Sequence, residues 1–451
     1  MSHFRDGTRV HIVGVGGAGM SGLARLLIEC GCVVSGSDAV SSPVLDDLAA
    51  CGVRVSAGHG AANLADVDVV TWSPAVASDN VELRTAIDHG ATALTRAEAL
   101  ADLVDAQPTI GLTGTHGKTT ATSMMAQVFA AAGRDPSRLV GAAVRGLGPN
   151  GHWGPDGLLL EVDESYGTFD LVRPAALGVL NVDVDHLDHY GTPENLDAAF
   201  ARLIARTAGP VVAWDDPGVR RAASLAGRDV TWVGPARDQW RVSDVVLERR
   251  AAHFTLEGAA RLEITLAVTG AHNVADAAVV AVLALAMGID APAVIEGLRR
   301  FEGAPRRFEY RGRWRGADVY EDYAHLPTEV AAALAGARAA GYTNVTAVFQ
   351  PHRYSRTRHL AHAFADSFVD ARRVIVTDVY AAGEADSGDV SGRQVLDAIR
   401  RAHPQASCDF VNDLRGALSH LEALADPGDA VVLIGAGDIG DLAGELVEGE
   451  A

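Results

Sequence analysis

Lysine is nearly missing from this chain: of 38 basic residues in 451, Lys118 is the only one that is not arginine. Basic residues of either kind are outnumbered by 58 Asp and Glu, giving a formal charge of -20. A chain so acidic lacks the clustered cations that neutralise a phosphate backbone, so no nucleic-acid partner is expected. The four cysteines, Cys30, Cys32, Cys51 and Cys408, have no C-x-x-C spacing, which argues against a structural zinc site or a disulfide framework and leaves them as small core residues. No apolar run approaches the roughly 20 residues that span a bilayer, so no membrane insertion is expected. The first ten residues lack the basic-then-apolar pattern of a secretory signal, and a cytoplasmic protein is the expectation. What is present is a globular composition, 48% hydrophobic and 21% charged, in a chain long enough for roughly two to four domains.

The one lysine stands in a glycine-rich turn, Gly111-Leu112-Thr113-Gly114-Thr115-His116-Gly117-Lys118-Thr119-Thr120, where a short apolar run meets the start of a helical one. Glycines let the backbone approach an anion closely, and the following helix turns its positive dipole end to the same place. A strict phosphate-loop pattern wants glycine where Leu112 stands, so the match is to the shorter Gly114-x-x-Gly117-Lys118-Thr119. Such a turn can also be a plain strand-to-helix corner. The lysine favours the phosphate reading, because a compact ammonium and a bulky guanidinium are not interchangeable inside such a loop. Lys118 is then expected to reach the β- and γ-phosphates and the Thr119 hydroxyl to hold Mg²⁺.

Earlier in the chain, a strand over 9–13 runs into Gly14-Val15-Gly16-Gly17-Ala18-Gly19, a helical run follows, and a second strand ends in Ser37-Asp38. This is a diphosphate-binding fingerprint in its strand-turn-helix setting, with Asp38 placed for a ribose hydroxyl. It does not by itself specify NAD. Strand and helix signals alternate on through Ser73 until Asp105-Ala106-Gln107-Pro108, a first boundary. After the lysine turn, an apolar strand discharges into Glu161-Val162-Asp163-Glu164-Ser165, the usual placing of an acid that orients Mg²⁺, and Glu161 is the candidate. A neighbouring run ends in Asp183-Val184-Asp185-His186-Leu187-Asp188-His189, on what should be the same edge of a parallel sheet. Next come His272-Asn273, with Asn273 read as a helix N-cap before a buried helix. A second boundary falls near Phe301-Glu302-Gly303-Ala304-Pro305-Arg306-Arg307. Beyond it Asp322-Tyr323-Ala324-His325 and Gln350-Pro351-His352-Arg353-Tyr354-Ser355-Arg356-Thr357 close two strands, and paired arginines at a strand end suit an anionic substrate.

In this order the motifs resemble the Mur ligases of peptidoglycan synthesis, most closely the branch that adds alanine, and the resemblance covers essentially the whole chain. It implies an α/β protein of three domains: a Rossmann-like UDP-sugar domain (1–106), a central P-loop ATPase domain with a mostly parallel sheet (107–304) and a C-terminal Rossmann-like domain (305–451). It implies ATP and Mg²⁺ as cofactors, and UDP-N-acetylmuramate and L-alanine as partners, in a monomer or weak homodimer. Gly16, Gly17, Gly19, Met20, Ser37, Asp38 and Ser73 would meet the UDP-sugar. Gly114, Thr115, His116, Gly117, Lys118, Thr119 and Thr120 would bind the triphosphate, with Asn273, Arg307 and Asp322 on the nucleotide. Thr119, Glu161 and His186 would hold metal, Tyr323, His352, Arg353 and Arg356 would face the substrates, and Lys118, Glu161, His186, His325 and Arg356 would carry the chemistry. That chemistry is activation of the muramoyl carboxylate as an acyl phosphate and its capture by the alanine amine. Some members bridge their metals with a carbamylated lysine, which this chain cannot supply. It departs from the family pattern at Tyr166, where Asp is usual, and at Leu326, where a second His is usual. Competing readings are a murein-peptide ligase, whose C-terminal arginine motif differs; an NAD-dependent oxidoreductase, which leaves the Lys118 turn unexplained; and an inert nucleotide-binding protein, which would require losses at Lys118, Glu161 or His186.

Overall fold

The computed structural model describes residues 3–183, 190–236, 239–385 and 388–448. Its strands form three sheets. The first contains β1 (Arg9–Val13), β2 (Val33–Asp38), β3 (Arg54–Ala57), β4 (Val69–Trp72) and β5 (Thr92–Thr95) in the order β3-β2-β1-β4-β5, all parallel. The chain winds outward from β1 in one direction and then in the other, so the order reverses beside β1, where such sheets bind ligands. Helices α1 (Ala18–Glu29), α2 (Pro43–Ala50), α3 (Val81–Asp88) and α4 (Arg96–Ala106) connect them. Their starts are fixed by local chemistry: the Asn80 side chain accepts from the Glu82 N–H at 2.9 Å, and Thr95 and Glu98 form a reciprocal capping box.

The second sheet has ten strands: β6 (Thr109–Thr113), β7 (Pro136–Leu139), β8 (Gly151–Pro155), β9 (Leu158–Glu161), β10 (Ala176–Val179), β11 (Val211–Trp214), β12 (Thr231–Gly234), β13 (Trp240–Glu248), β14 (Ala251–Glu257) and β15 (Arg261–Leu266). Their order is β15-β14-β13-β12-β11-β10-β6-β9-β7-β8. β6 lies between β9 and β10, parallel to both, with Leu112 opposite Glu161 and Thr113 opposite Val179. The end of β6 therefore shares one edge with the ends of its two neighbours. Helix α5 (Lys118–Ala131) follows it, buried on nearly every side from Thr120 to Phe129. The β7–β8 hairpin packs on α1, where a Cβ at Gly22 would come within 2.8 Å of Leu139 Cδ1 and Asn150 Nδ2 donates to the Ala18 carbonyl at 2.7 Å.

The third sheet, β16 (Glu309–Trp314), β17 (Ala317–Asp322), β18 (Val345–Phe349), β19 (Arg373–Val376), β20 (Ser407–Phe410) and β21 (Ala430–Ile434), runs β16-β17-β21-β18-β19-β20 and is parallel apart from β16. Asp322 and Phe349 both pair with Ile434, so the ends of β17 and β18 flank that of β21 at one level. Tyr320, Tyr342, Phe349 and Val432 lie in its core. By contacts the chain divides into two compact units, one holding 1–246, 253–267 and 272–302, the other 247–252, 268–271 and 303–451. The fold is α/β with mostly parallel sheets, as expected. Among the described residues no helix is long and apolar enough to cross a membrane. One local expectation is corrected. The helix read from Asn273 spans Ala271–Ala286, so Asn273 lies buried in its first turn rather than capping it from outside.

Candidate active site

The turn between β6 and α5 depends on its glycines. Gly117 (φ +83°) and Gly114 (φ +151°) adopt backbone conformations that a side chain disfavours, and a Cβ at Gly117 would meet Asp276 Oδ2 at 2.5 Å. Asn181, just past β10, clamps the turn, accepting from the His116 N–H at 2.8 Å and donating to the His116 carbonyl at 3.0 Å. Thr115 Oγ1 accepts from the Asp183 N–H at 2.9 Å. Lys118 Nζ donates to the carbonyls of Gly114 (2.7 Å) and Thr115 (3.1 Å) and to both oxygens of Glu164 (2.7 and 3.0 Å). Glu164 is 1% exposed, so the ammonium is fully engaged by protein acceptors.

Beside it lies a seat of hard oxygens. Thr119 Oγ1 donates to Glu161 at 2.9–3.0 Å, and the Gly141 N–H donates to Glu161 Oε2 at 2.6 Å. A Cβ at Gly141 would lie 2.8 Å from Thr119 Oγ1 and 2.9 Å from Glu161 Oε2, so glycine is required there to leave the seat open. Burial pushes the Glu161 carboxyl up, opposed by the charge of Lys118, the Gly141 N–H and Thr119. A half-buried carboxylate next to a hydroxyl suits a hard divalent cation such as Mg²⁺, and the residues present fit one. His186 lies outside the described residues. Asp276, also buried against the turn, has its carboxyl pushed well above the usual range by burial alone.

On the first sheet, Gly14 (φ +78°) packs so closely on Ser73 that a Cβ would sit 2.8 Å from the Ser73 Cβ. The N–H groups of Gly14 and Val15 donate to the Ser37 carbonyl at 2.8 and 3.0 Å, and the Gly16 N–H donates to Asp38 Oδ2 at 2.8 Å. Asp38 thus spans the glycine turn rather than standing apart from it. Gly17 precedes α1 as its N-cap, and Met20 is buried behind it. The Arg96 guanidinium lies over Gly19, whose Cβ would come within 2.9 Å of Nη2. Ser37 is wholly buried and its hydroxyl donates to Glu82, so its side chain faces inward.

In the other unit, residues following β17 and β18 converge. Asp322 is buried and accepts from the N–H groups of Phe308 (2.8 Å) and Ala324 (2.7 Å); burial raises its carboxyl, with Arg307 opposing. The guanidinium groups of Arg306 and Arg307 lie 4.9 and 5.4 Å from the Tyr323 ring. Tyr323, His325, His352 and Tyr380 form a chain of rings at centroid spacings of 5.5, 5.9 and 5.7 Å. Arg356 Nη1 donates to His352 Nδ1 at 3.1 Å, and Arg353 holds φ +69° with its N–H on the Tyr380 carbonyl. Burial first, then Arg356, His325 and Arg353, lower His352 to about 4, and burial also lowers His325. Both imidazoles are therefore neutral at pH 7. A third glycine turn, Gly435-Ala436-Gly437-Asp438-Ile439-Gly440, follows β21, and its carbonyls at Gly435 and Gly437 accept from Arg306 Nη2 at 2.9 and 2.8 Å.

The catalytic domain of the Mur ligase family matches residues 9–108, the Mur ligase middle domain 112–284 and the Mur ligase glutamate ligase domain 306–437. A UDP-N-acetylmuramate--L-alanine ligase of Kineococcus radiotolerans is 42% identical over 451 residues, covering 97% of this chain and 95% of that protein. The chain belongs to the Mur ligase family. A second relative of this Mur ligase, a UDP-N-acetylmuramate--L-alanine ligase of Nitratidesulfovibrio vulgaris, is 37% identical over 98% of both chains. Among solved structures, the UDP-N-acetylmuramate-alanine ligase MurC of Thermotoga maritima superposes with a TM-score of 0.83 at 28% identity, covering 98% of this chain and 99% of that one. A murein peptide ligase of Psychrobacter arcticus shares the fold at a TM-score of 0.69 and 22% identity, over 98% of both chains.

Four residues of this Mur ligase that line these turns were not singled out from sequence: Glu164 as partner of Lys118, Asn181, Asp276 and Arg96. Glu164 stood in a quoted motif, and the doubled acid around Asp163 was the available signal. Nothing local to Asn181, Asp276 or Arg96 distinguishes them from ordinary loop or helix residues.

Proposed function

We propose that this Mur ligase joins L-alanine to the muramoyl carboxylate of UDP-N-acetylmuramate with ATP, releasing ADP and phosphate, in peptidoglycan precursor synthesis. The observation that carries the reading is the seating of the sole lysine in its glycine turn beside Glu161, in a chain 42% identical over nearly its whole length to a UDP-N-acetylmuramate--L-alanine ligase. The working segments are 1–106 for the UDP-sugar, 107–304 for ATP and 305–451 as the C-terminal ligase domain. The protein works in the cytoplasm as a monomer or weak homodimer.

The muramoyl carboxylate attacks the terminal phosphorus of ATP and ADP leaves; the alanine amine then attacks the acyl carbon, and phosphate departs with the bridging oxygen. Lys118, with Gly114, Thr115, His116, Gly117 and Thr120, receives the triphosphate and offsets charge that develops on it. Thr119 and Glu161 would hold one Mg²⁺ and His186 would belong to a second metal position; the metal, when bound, withdraws charge from phosphoryl oxygens. Asn273, Arg307 and Asp322 contact the nucleotide. Tyr323, His325, His352, Arg353 and Arg356 face the substrates, and the neutral His352, fixed by Arg356, presents its other ring nitrogen as a donor. On the first sheet Gly16, Gly17, Gly19, Met20, Asp38 and Ser73 form the UDP-sugar edge, to which Ser37 contributes through its carbonyl, which holds the Gly14 turn.

Incubation with ATP, Mg²⁺, UDP-N-acetylmuramate and L-alanine tests this. The expected products are ADP, phosphate and a UDP-muramoyl-alanine, with one heavy oxygen passing from a labelled muramoyl carboxylate to phosphate. Turnover with a preformed peptide but not with alanine would favour a murein-peptide ligase instead.

A further inference from the structure

Two of the four cysteines meet at the end of α1 remote from the UDP-sugar edge. Helix α1 stops at Glu29, Cys30 caps it, and Gly31 at φ +96° turns the chain back, with the Gly31 N–H on the Ile28 carbonyl (3.1 Å) and the Cys32 N–H on the Leu27 carbonyl (3.0 Å). This pair of bonds is the usual glycine-terminated helix end. Its effect here is to fold the side chains flanking Gly31 towards each other, and Cys30 Sγ lies 3.6 Å from Cys32 Sγ. Both are free thiols.

The two sulfurs are not equivalent. Cys30 is half-buried and Cys32 is 4% exposed. Cys30 Sγ lies 3.2 Å from the Leu27 carbonyl and Cys32 Sγ 3.4 Å from the Arg5 carbonyl. A hydrogen bond from the Cys32 thiol lowers Cys30 below its ordinary value against the opposing effect of burial, whereas the same contact, and then burial, raise Cys32. One sulfur is thus the readier thiolate and reaches solvent; the other keeps its proton and lies behind it.

A metal does not suit the pair, because among the described residues no group of three or more His, Cys, Asp and Glu side chains is placed to hold one. Adjacent thiols of unequal acidity need no third ligand to exchange with a disulfide.

We propose that Cys30 and Cys32 form a thiol–disulfide exchange site that takes small-molecule disulfides, with Cys30 as the attacking sulfur and Cys32 as the resolving one. The Cys30 thiolate attacks one sulfur of the small disulfide, whose S–S bond breaks and expels a thiolate, leaving a mixed disulfide on Cys30. Cys32 then gives up its proton and attacks the Cys30 sulfur, the mixed bond breaks, and a second thiolate leaves. In sum the protein pair loses two electrons and two protons, and the small disulfide gains both as two thiols. The sulfurs have to close from 3.6 Å to about 2.05 Å, and the residue between them, Gly31, has the backbone that yields most readily. The site stands roughly 20 Å along α1 from the Gly17 turn, so its reaction can be read separately from UDP-sugar binding.

Reduced full-length protein carrying Cys51→Ser, which removes the exposed thiol, is treated with glutathione disulfide, without oxygen, at about pH 8 and followed by intact mass and peptide mapping. The expected product has Cys30 joined to Cys32, no glutathione retained and two glutathiones released per chain, all reversed by dithiothreitol. In the same background Cys32→Ala should stop at one glutathione on Cys30, and in Cys30→Ala the reaction of Cys32 should be at least about tenfold slower. A second readout separates these roles from mere proximity: reaction of Cys30 with iodoacetamide should titrate below the ordinary thiol value of about 8.5 while Cys32 is present, and move up in Cys32→Ala. Glutathione retained on the protein that keeps both cysteines, or adducts forming on Cys32 as fast as on Cys30, overturns the assignment. So does an unreacted pair under conditions that glutathionylate Cys51 of the unsubstituted protein, a result that needs no variant at the pair itself.

Discussion

Replacing Glu164 by glutamine should tighten ATP binding. Lys118 is held by Glu164 at 2.7 Å, inside a site where the carboxylate is 1% exposed and the lysine side chain 14%. At an effective dielectric of about 20, two unit charges that close attract by about 6 kcal/mol before desolvation is subtracted. Cutting one partner of such a buried pair typically costs about 3–5 kcal/mol. The free protein should therefore lose on the order of 3 kcal/mol on substitution. With ATP bound, the phosphates supply the negative charge that Lys118 lost, and the mutation costs less. The difference between the two states appears as affinity, and recovery of about half the loss corresponds to roughly 1.4 kcal/mol, or tenfold. Loss of a negative charge close to the triphosphate acts in the same direction. Titration calorimetry with a non-hydrolysable ATP analogue, alongside melting with and without nucleotide, gives both sides of the cycle. Unchanged or weaker nucleotide binding by a folded Glu164→Gln protein would refute the view that Glu164 and the phosphates compete for one ammonium.

Lys118→Ala should abolish turnover while UDP-sugar binding, on another sheet, stays within about twofold by calorimetry; loss of that binding in a folded variant would contradict the assignment of separate phosphate sites. Gly141→Ala puts a methyl 2.8 Å from Thr119 Oγ1, so the Mg²⁺ concentration for half-maximal activity should rise about tenfold or more with little change in melting temperature, and an unchanged Mg²⁺ titration would rule out that seat. Acidification should destabilise the C-terminal unit through His352, whose value falls from 6.5 to about 4 on folding. Above pH 6.5 the ring is neutral in both states; between 6.5 and 4 the unfolded chain takes up a proton that the folded one refuses, so stability falls with pH. After discounting for partial exposure the loss is about 1–2 kcal/mol, and urea titrations at the two ends of that window should show it shrink in His352→Phe.

The turns were legible in the sequence because each is made by neighbours in the chain. Gly114, Gly117 and Lys118 announce a phosphate loop within a few residues, and an apolar strand ending in Glu161 announces its own edge. The partners that hold those turns come from afar, and no local pattern marks them. Glu164 meets Lys118 across 46 positions, and Glu82 meets Ser37 across 45. Asn273 shows the opposite error, since a residue type suited to capping sits inside a helix whose first turn begins two residues earlier. Glycine spacing does not mark such partners either: the turn after β21 has the same rhythm as the one after β1, and Arg306, which ties two of its carbonyls, lies 129 positions before Gly435.

The anchorage of Lys118 makes the phosphate loop unusually easy to watch. A lysine-specific protease has one peptide bond to cut in the whole chain, the one after Lys118. That bond lies at the head of α5, behind an ammonium tied to Gly114, Thr115 and Glu164, where a protease cannot seat it without local unravelling. Appearance of the two fragments is thus a clock for exposure of this turn, free of background cleavage elsewhere.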